Sequence, residues 1–247
     1  MTRAVVFVGP SLHGRDQPWP ASIEKRPPAG KGDLLAAVLD GATSIGLVDG
    51  TFGDGAAVWH KEILFALDRG IRVLGAASMG ALRAAECSAF GMIGIGSIYR
   101  DYAEGLRTAD EDVAIVHGPA ELGFPPVTEA LVDIDATLEH LRARRLIGAT
   151  VADLLDQAAR SIHFKDRTWN FVFDAMDLRD PADRHIIRAN TVNRKCEDAW
   201  LLVRAMADDA AAMAPPARSI DGAFNDTLFF QELRQEIAAR PAGRATA

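Results

Sequence analysis

Four short apolar runs punctuate the first half of the chain: Ala4 to Val8, Ser44 to Val48, Arg72 to Ala76 and Val113 to Val116. Each ends in glycine or polar turn residues, namely Gly9-Pro10-Ser11, Asp49-Gly50-Thr51, Ala77-Ser78 and His117-Gly118-Pro119. Apolar runs without alternation read as strands covered on both faces, and the segments between them carry helical spacing. The pattern therefore predicts an α/β fold, an open and mostly parallel sheet flanked by helices. One helix is expected from Gly32 to Leu39 with Asp33 as its cap, and another from Val58 to Arg69, stopped by Gly70. Gly91 to Gly96 reads as a loop.

Past about Thr128 the strand pattern gives way to helical periodicity. Helices are expected from Ala136 to Arg145, Thr150 to Ile162, Thr168 to Ala175, Ala182 to Ala189, Cys196 to Ala207 and Asp226 to Ala238. Thr150 with Asp153 makes a variant capping box. The division is thus an α/β core over residues 1–128 and a helical region over 129–247 that packs on the core or covers its crevice. The last stretch, Pro241 to Ala247, lacks large apolar groups and is expected to fray.

Composition narrows the possible partners. With 247 residues, 49% of them hydrophobic, the chain has enough apolar side chains for a substantial core. A formal net charge of −7 and the absence of a lysine or arginine block argue against a general nucleic-acid or anionic-membrane surface. Only Cys87 and Cys196 occur, which encodes no disulfide framework and fits a reducing compartment such as the cytoplasm. No apolar run reaches membrane-spanning length, and the first residues are too soon broken by Gly9-Pro10 to read as a signal peptide. No phosphate loop, dinucleotide fingerprint or metal-ligand spacing is present, so no cofactor and no metal site are expected.

The chemistry concentrates at Ser78. In Arg72 to Glu86 a short apolar run meets a serine flanked by small residues, and a helix-forming stretch follows at once. A strand, tight turn and helix of this kind project the serine oxygen from the C-terminal edge of a sheet, beside the free amides of a helix start. The arrangement suits a nucleophile next to an oxyanion hole, with Met79 and Gly80 supplying amides. A plain N-cap is the competing reading. The strand ends at Gly9, Ser11 and Asp49 should converge on the same crevice.

A base is also needed. His60, one turn from Leu64, shares that helix's apolar stripe and could overhang Ser78, oriented by Asp49 or Glu62. His117 is the alternative from the other side of the crevice. Lys31 and Lys61 leave a serine–lysine pair open. Arg83, one turn beyond the serine, could clamp a carboxylate.

Those residues carry a resemblance. Val6-Phe7-Val8-Gly9-Pro10-Ser11, Ile45 to Gly50, Val58 to Leu64, Gly75 to Glu86 and Val113 to Pro119 together resemble the TfuA-like family, with a further echo in Phe164 to Trp169. The resemblance implies a partner of YcaO enzymes in making peptide backbone thioamides. It further implies a component that delivers sulfur from a small ubiquitin-like sulfur carrier protein ending in a thiocarboxylate, with the precursor peptide as another candidate partner. Joined to the serine reading, this predicts a serine-type thiocarboxylate hydrolase that releases sulfide. The alternatives are an adaptor that recruits carrier or peptide without turnover, and a general serine esterase or peptidase.

Overall fold

The computed structural model describes residues 3–53, 55–208 and 224–239. Its sheet holds β1 (Ala4–Phe7), β2 (Ile23–Arg26), β3 (Ser44–Leu47), β4 (Arg72–Ala76) and β5 (Ile93–Ile95) in the order β2-β1-β3-β4-β5. Every neighbouring pair is parallel. After β1 the chain moves outward to β2 and then returns on the other side of β1 to β3, which makes the β1/β3 junction the topological switch point.

Alternation along the strands explains why both faces are covered. Val5 and Phe7 point to one face and Val6 and Val8 to the other. On the first face lie α1 (Asp33–Leu39), α2 (His60–Asp68), α3 (Met79–Cys87) and α10 (Leu228–Ala238). The second face is covered by α9 (Arg194–Asp208), which buries Cys196, Ala199, Trp200, Leu202, Val203 and Met206 against β1, β3 and β4. The contact is close at Gly46, where a Cβ would lie 2.6 Å from Met206 Sδ and 2.7 Å from a Leu202 methyl. Beyond β5 come α4 (Gly96–Ala103), α5 (Leu131–Ala143), α6 (Ala149–Ser161), α7 (Trp169–Ala175) and α8 (Pro181–Ala189). The last four share a cluster of their own around Ile134, Leu155 and Phe173. No described helix is long and apolar enough to cross a membrane.

The α/β class with an open parallel sheet is as expected, and three of the four anticipated strands form. Val113 to Val116 does not join the sheet. It follows a 3-10 turn at Asp110–Asp112, and Val113 and Ile115 pack against Ala81, Leu82 and Ile98. The remaining strands are edges: β2, whose Glu24, Lys25 and Arg26 are all charged, and β5, inside the stretch read as a loop. Helix starts differ as well. Gly32, at φ 91°, is the cap residue of α1, while Asp33 accepts from the Gly30 amide at 2.8 Å. Buried Glu62 accepts from the amides of Gly32, Leu35 and Trp59 at 3.0, 3.1 and 3.0 Å, so one carboxylate serves the starts of α1 and α2. The Thr150–Asp153 box is absent: α6 starts at Ala149 with Gly148 as its cap residue. Pro241 to Ala247 lie outside the described residues.

Candidate functional site

At the switch point Asp49, two residues past β3, turns its carboxylate into the loop that follows β1. Oδ2 accepts from the amides of Gly9 and Ser11 at 2.8 and 3.0 Å, and Oδ1 accepts from Ser11 Oγ at 2.6 Å. Asp49 is 2% exposed. These three bonds tie the ends of β1 and β3 together and use the donors of Gly9 and Ser11. Gly9 and Ser11, expected at the crevice as substrate-binding or oxyanion groups, therefore spend these donors on Asp49.

One strand further on, β4 ends in a strained turn. Ala77 takes φ +66°, a conformation that costs about 1–3 kcal/mol for a residue with a Cβ. Ser78 follows at the N-terminus of α3, and its side chain does not cap that helix. The plain N-cap reading fails on this geometry. Ser78 is 4% exposed and lines a cleft of about 820 Å³ together with Asp49, Gly50, Lys31, His117 and Lys195. The Gly80 amide is committed to the Val48 carbonyl at 3.1 Å, which removes it from the proposed oxyanion pair. Met79, the first residue of α3, donates its amide to no described residue, as expected of a helix-start N–H.

Lys195 reaches the cleft from the first turn of α9 and is a residue that sequence reading did not select. It is 2% exposed, and its Nζ donates to the Val113 carbonyl oxygen at 2.7 Å rather than to a carboxylate. Its amide donates to Asp133 Oδ1 at 2.9 Å. Burial draws the Lys195 pKa below its ordinary value, against the opposing pull of Asp49 and Asp133. The N-terminal end of a helix dipole also disfavours a cation there.

His60 is not placed as the sequence suggested. His60 Nε2 bonds to Glu86 Oε2 at 2.7 Å, with the imidazole 48% exposed. Arg83 joins the same carboxylate at 2.7 Å and donates Nε to the Val58 carbonyl at 3.1 Å. Burial works to raise the Glu86 pKa, but the hydrogen bonds from His60 and Arg83 outweigh it and hold the group below its ordinary value. His60 and Arg83 line a second groove of about 800 Å³ with Trp59 and Phe229, whereas Ser78 lines the first. This separates His60 from the role of base and Arg83 from that of a clamp in the Ser78 cleft. It also leaves Asp49 with the Gly9 and Ser11 amides and the Ser11 hydroxyl, and Glu62 with backbone amides, instead of an imidazole. His117 does line the Ser78 cleft, at its exposed rim, where Nδ1 donates to the Gly118 carbonyl at 2.8 Å and the ring meets Phe124 edge-on. Lys31 lines the cleft with its ammonium 4.2 Å from the Trp59 ring centre, and Lys61 lines the second groove and bonds to the Asn225 carbonyl.

Neither thiol lies at this surface. Cys87 is 1% and Cys196 6% exposed, and burial pushes the Cys87 thiol up to about 11. Titration of the native protein with a thiol-reactive disulfide is expected to show no fast-reacting group, and both thiols should react after denaturation. A fast native thiol would contradict the burial of these two side chains.

A family model described as TfuA-like protein matches residues 49–168. The matched span begins at Asp49, includes Ser78 and His117, and ends before Lys195. No curated protein matches the chain.

Proposed function

Since the chain is a TfuA-like protein, we propose that it works beside a YcaO-type enzyme in peptide backbone thioamidation and supplies sulfide by hydrolysing the C-terminal thiocarboxylate of a small ubiquitin-like sulfur carrier. Support comes from one observation above the others. Ser78, Asp49 and Lys195, each under 5% exposed, meet in a single cleft at the sheet's C-terminal edge, and the Ser78 side chain is not spent on capping its helix. Buried polar groups gathered beside a free helix-start amide suit chemistry better than packing does.

In this reading Ser78 Oγ attacks the thiocarboxylate carbon, and the Met79 amide faces the oxygen that becomes negative. Collapse of the tetrahedral intermediate breaks the C–S bond and expels hydrosulfide. The acyl-serine that remains is then cleaved by water, which returns the serine and gives a carrier carboxylate. The cleft of about 820 Å³ offers room for an extended chain end beside the serine.

The test uses a thiocarboxylated carrier, with sulfide release and intact masses followed together. The parent chain is expected to release sulfide and, on rapid quenching, to show a carrier adduct that maps to Ser78. Ser78→Ala should lose about 10²- to 10⁴-fold in rate and show no adduct. Equal release by Ser78→Ala and the parent would remove the serine mechanism. The adaptor reading has its own support in the second groove, whose rim carries Phe229 at 72% exposed beside Leu228 at 67%. It predicts instead that Ser78→Ala sustains thioamidation by the YcaO partner as well as the parent does.

A further inference from the structure

We infer that Lys195, brought to the Ser78 cleft by α9, is the general base and proton carrier of the reaction, in place of either histidine. The inference rests on the serine reading given above and adds to it the residue that makes the serine reactive.

The geometry supplies the argument. Ser78 and Lys195 line the same cleft from opposite layers, the serine from the β4–α3 turn and the lysine from the helix that covers the other face of the sheet. A general base must be buried enough to stay neutral, yet open to the nucleophile. At Lys195 burial favours the neutral form, and the side-chain hydrogen bond to Val113 goes to a neutral carbonyl rather than to a carboxylate. A neutral primary amine has two N–H groups and a lone pair. One N–H serves the Val113 carbonyl, which leaves the lone pair for the serine hydroxyl.

The charged groups around Lys195 are few and can be named. Asp49 faces it from the end of β3 and Asp133 from α5, and both favour the protonated form; Lys31, His117 and Glu121 line the same cleft. Asp133 is itself buried, and its carboxyl is pushed up to about 6 by that burial. Desolvation outweighs both acids, so the amine loses its proton more readily than a solvated lysine.

The chemistry also calls for a proton carrier rather than a simple base. A thiocarboxylate is already an anion, so attack by serine would leave sulfur to depart as a doubly charged ion unless it is protonated. In the proposed sequence the Ser78 proton moves to Lys195 Nζ as the Oγ–C bond forms. The same proton then passes to sulfur as the C–S bond breaks, and hydrosulfide leaves. In the second half Lys195 takes a proton from the attacking water and returns it to Ser78 Oγ. The sum is thiocarboxylate plus water giving carboxylate, hydrosulfide and one proton, which the product acid releases to solvent, with no oxidant or cofactor required.

The decisive measurement is the rate at which a fluorophosphonate labels Ser78, because it reports serine activation without the carrier. In the parent this rate should rise with pH along a single ionisation below the ordinary lysine range. Lys195→Met, similar in length and apolar, should slow labelling by about 10²- to 10⁴-fold and abolish the pH dependence. Lys195→Arg keeps a cation but cannot act as a base, and should be equally slow. Added small primary amines should partly rescue Lys195→Ala, an effect that a purely structural lysine would not show. Labelling as fast in Lys195→Met or Lys195→Arg as in the parent would overturn the inference while leaving the serine in place. A parent chain that takes no label at any pH would remove the serine and the lysine together.

Discussion

Gly80→Ala is expected to abolish the native fold or to lower its melting temperature by at least about 10 °C. A Cβ at this position would lie 1.8 Å from the Leu47 carbonyl oxygen and 2.6 Å from its carbon. Both atoms belong to the backbone of a central strand, so neither can swing aside. The Gly80 carbonyl is equally close to the other neighbour: a Cβ on Gly75 would come within 2.1 Å of it. The first turn of α3 therefore rests directly on β3 and β4, and the Gly80 amide bond to Val48 fixes the contact. A cost above about 4 kcal/mol follows, against a total stability of roughly 5–15 kcal/mol for a domain. Gly148→Ala is the control, because nothing lies within 4 Å of a Cβ there and its φ of −69° suits any residue. Thermal unfolding followed by circular dichroism separates the two variants. A cooperative transition for Gly80→Ala within about 3 °C of the parent would mean that α3 can lift off the sheet, and with it Ser78.

This contact shows why part of the fold was legible in the sequence. Strands β1, β3 and β4 are covered on both faces, so nearly every residue in them is apolar and the run announces itself. The edges obey a different rule. In β2 only Ile23 is buried, and Glu24, Lys25 and Arg26 face solvent or ion pairs, a pattern that hides an edge strand and also protects it from pairing with other chains. With three residues and a central glycine, β5 carries too short a signal to register. Val113 to Val116 misled for the opposite reason. Val113 and Ala114 are buried and Ile115 partly so, but Val113 and Ile115 pack on helices α3 and α4 rather than in a ladder, and hydrophobicity alone does not distinguish the two.

Within the candidate site, Ser78 and Asp49 could be read because each closes a strand, and strand ends in a parallel sheet must converge. The base could not be read in the same way, since proximity across layers depends on how α9 docks. Asn193-Arg194-Lys195 looks like the solvated start of a helix. A signal was nevertheless present: Lys195, Ala199, Leu202 and Met206 fall on one helical stripe, and all are buried. A lysine in register with an apolar stripe is the exception that burial has to explain. His60 failed by the converse reasoning. Its spacing from Leu64 suggests a place on the apolar stripe of α2, but the buried face runs through Glu62, Ile63, Phe65, Ala66 and Leu67, which turns the imidazole outward to Glu86.

The carboxylate at the switch point should have two separable effects, one on the fold and one on the lysine. Asp49→Ala leaves the amides of Gly9 and Ser11 and the Ser11 hydroxyl without their acceptor in a buried loop. At about 1–3 kcal/mol for each orphaned group, partly recovered by water, the loss should reach roughly 3–5 kcal/mol, or about 6–20 °C in melting temperature. Asp49→Asn behaves differently. A flipped amide can turn its oxygen to the two backbone donors and its NH₂ to Ser11 Oγ, so the hydrogen bonds survive while the charge does not. Stability should then fall by no more than about 2 kcal/mol. The missing charge is one of the two that hold a proton on Lys195. Without it the amine deprotonates more easily, and because the neutral amine is the reactive form, the rising limb of the rate profile must move to lower pH. Raising the charge burden instead, by keeping aspartate, can only move it up. Fluorophosphonate labelling of Ser78 across pH in the parent and in Asp49→Asn reads this shift directly. A limb that stays in place while the melting temperature is preserved would mean that the charge at Asp49 does not act on the group that activates the serine.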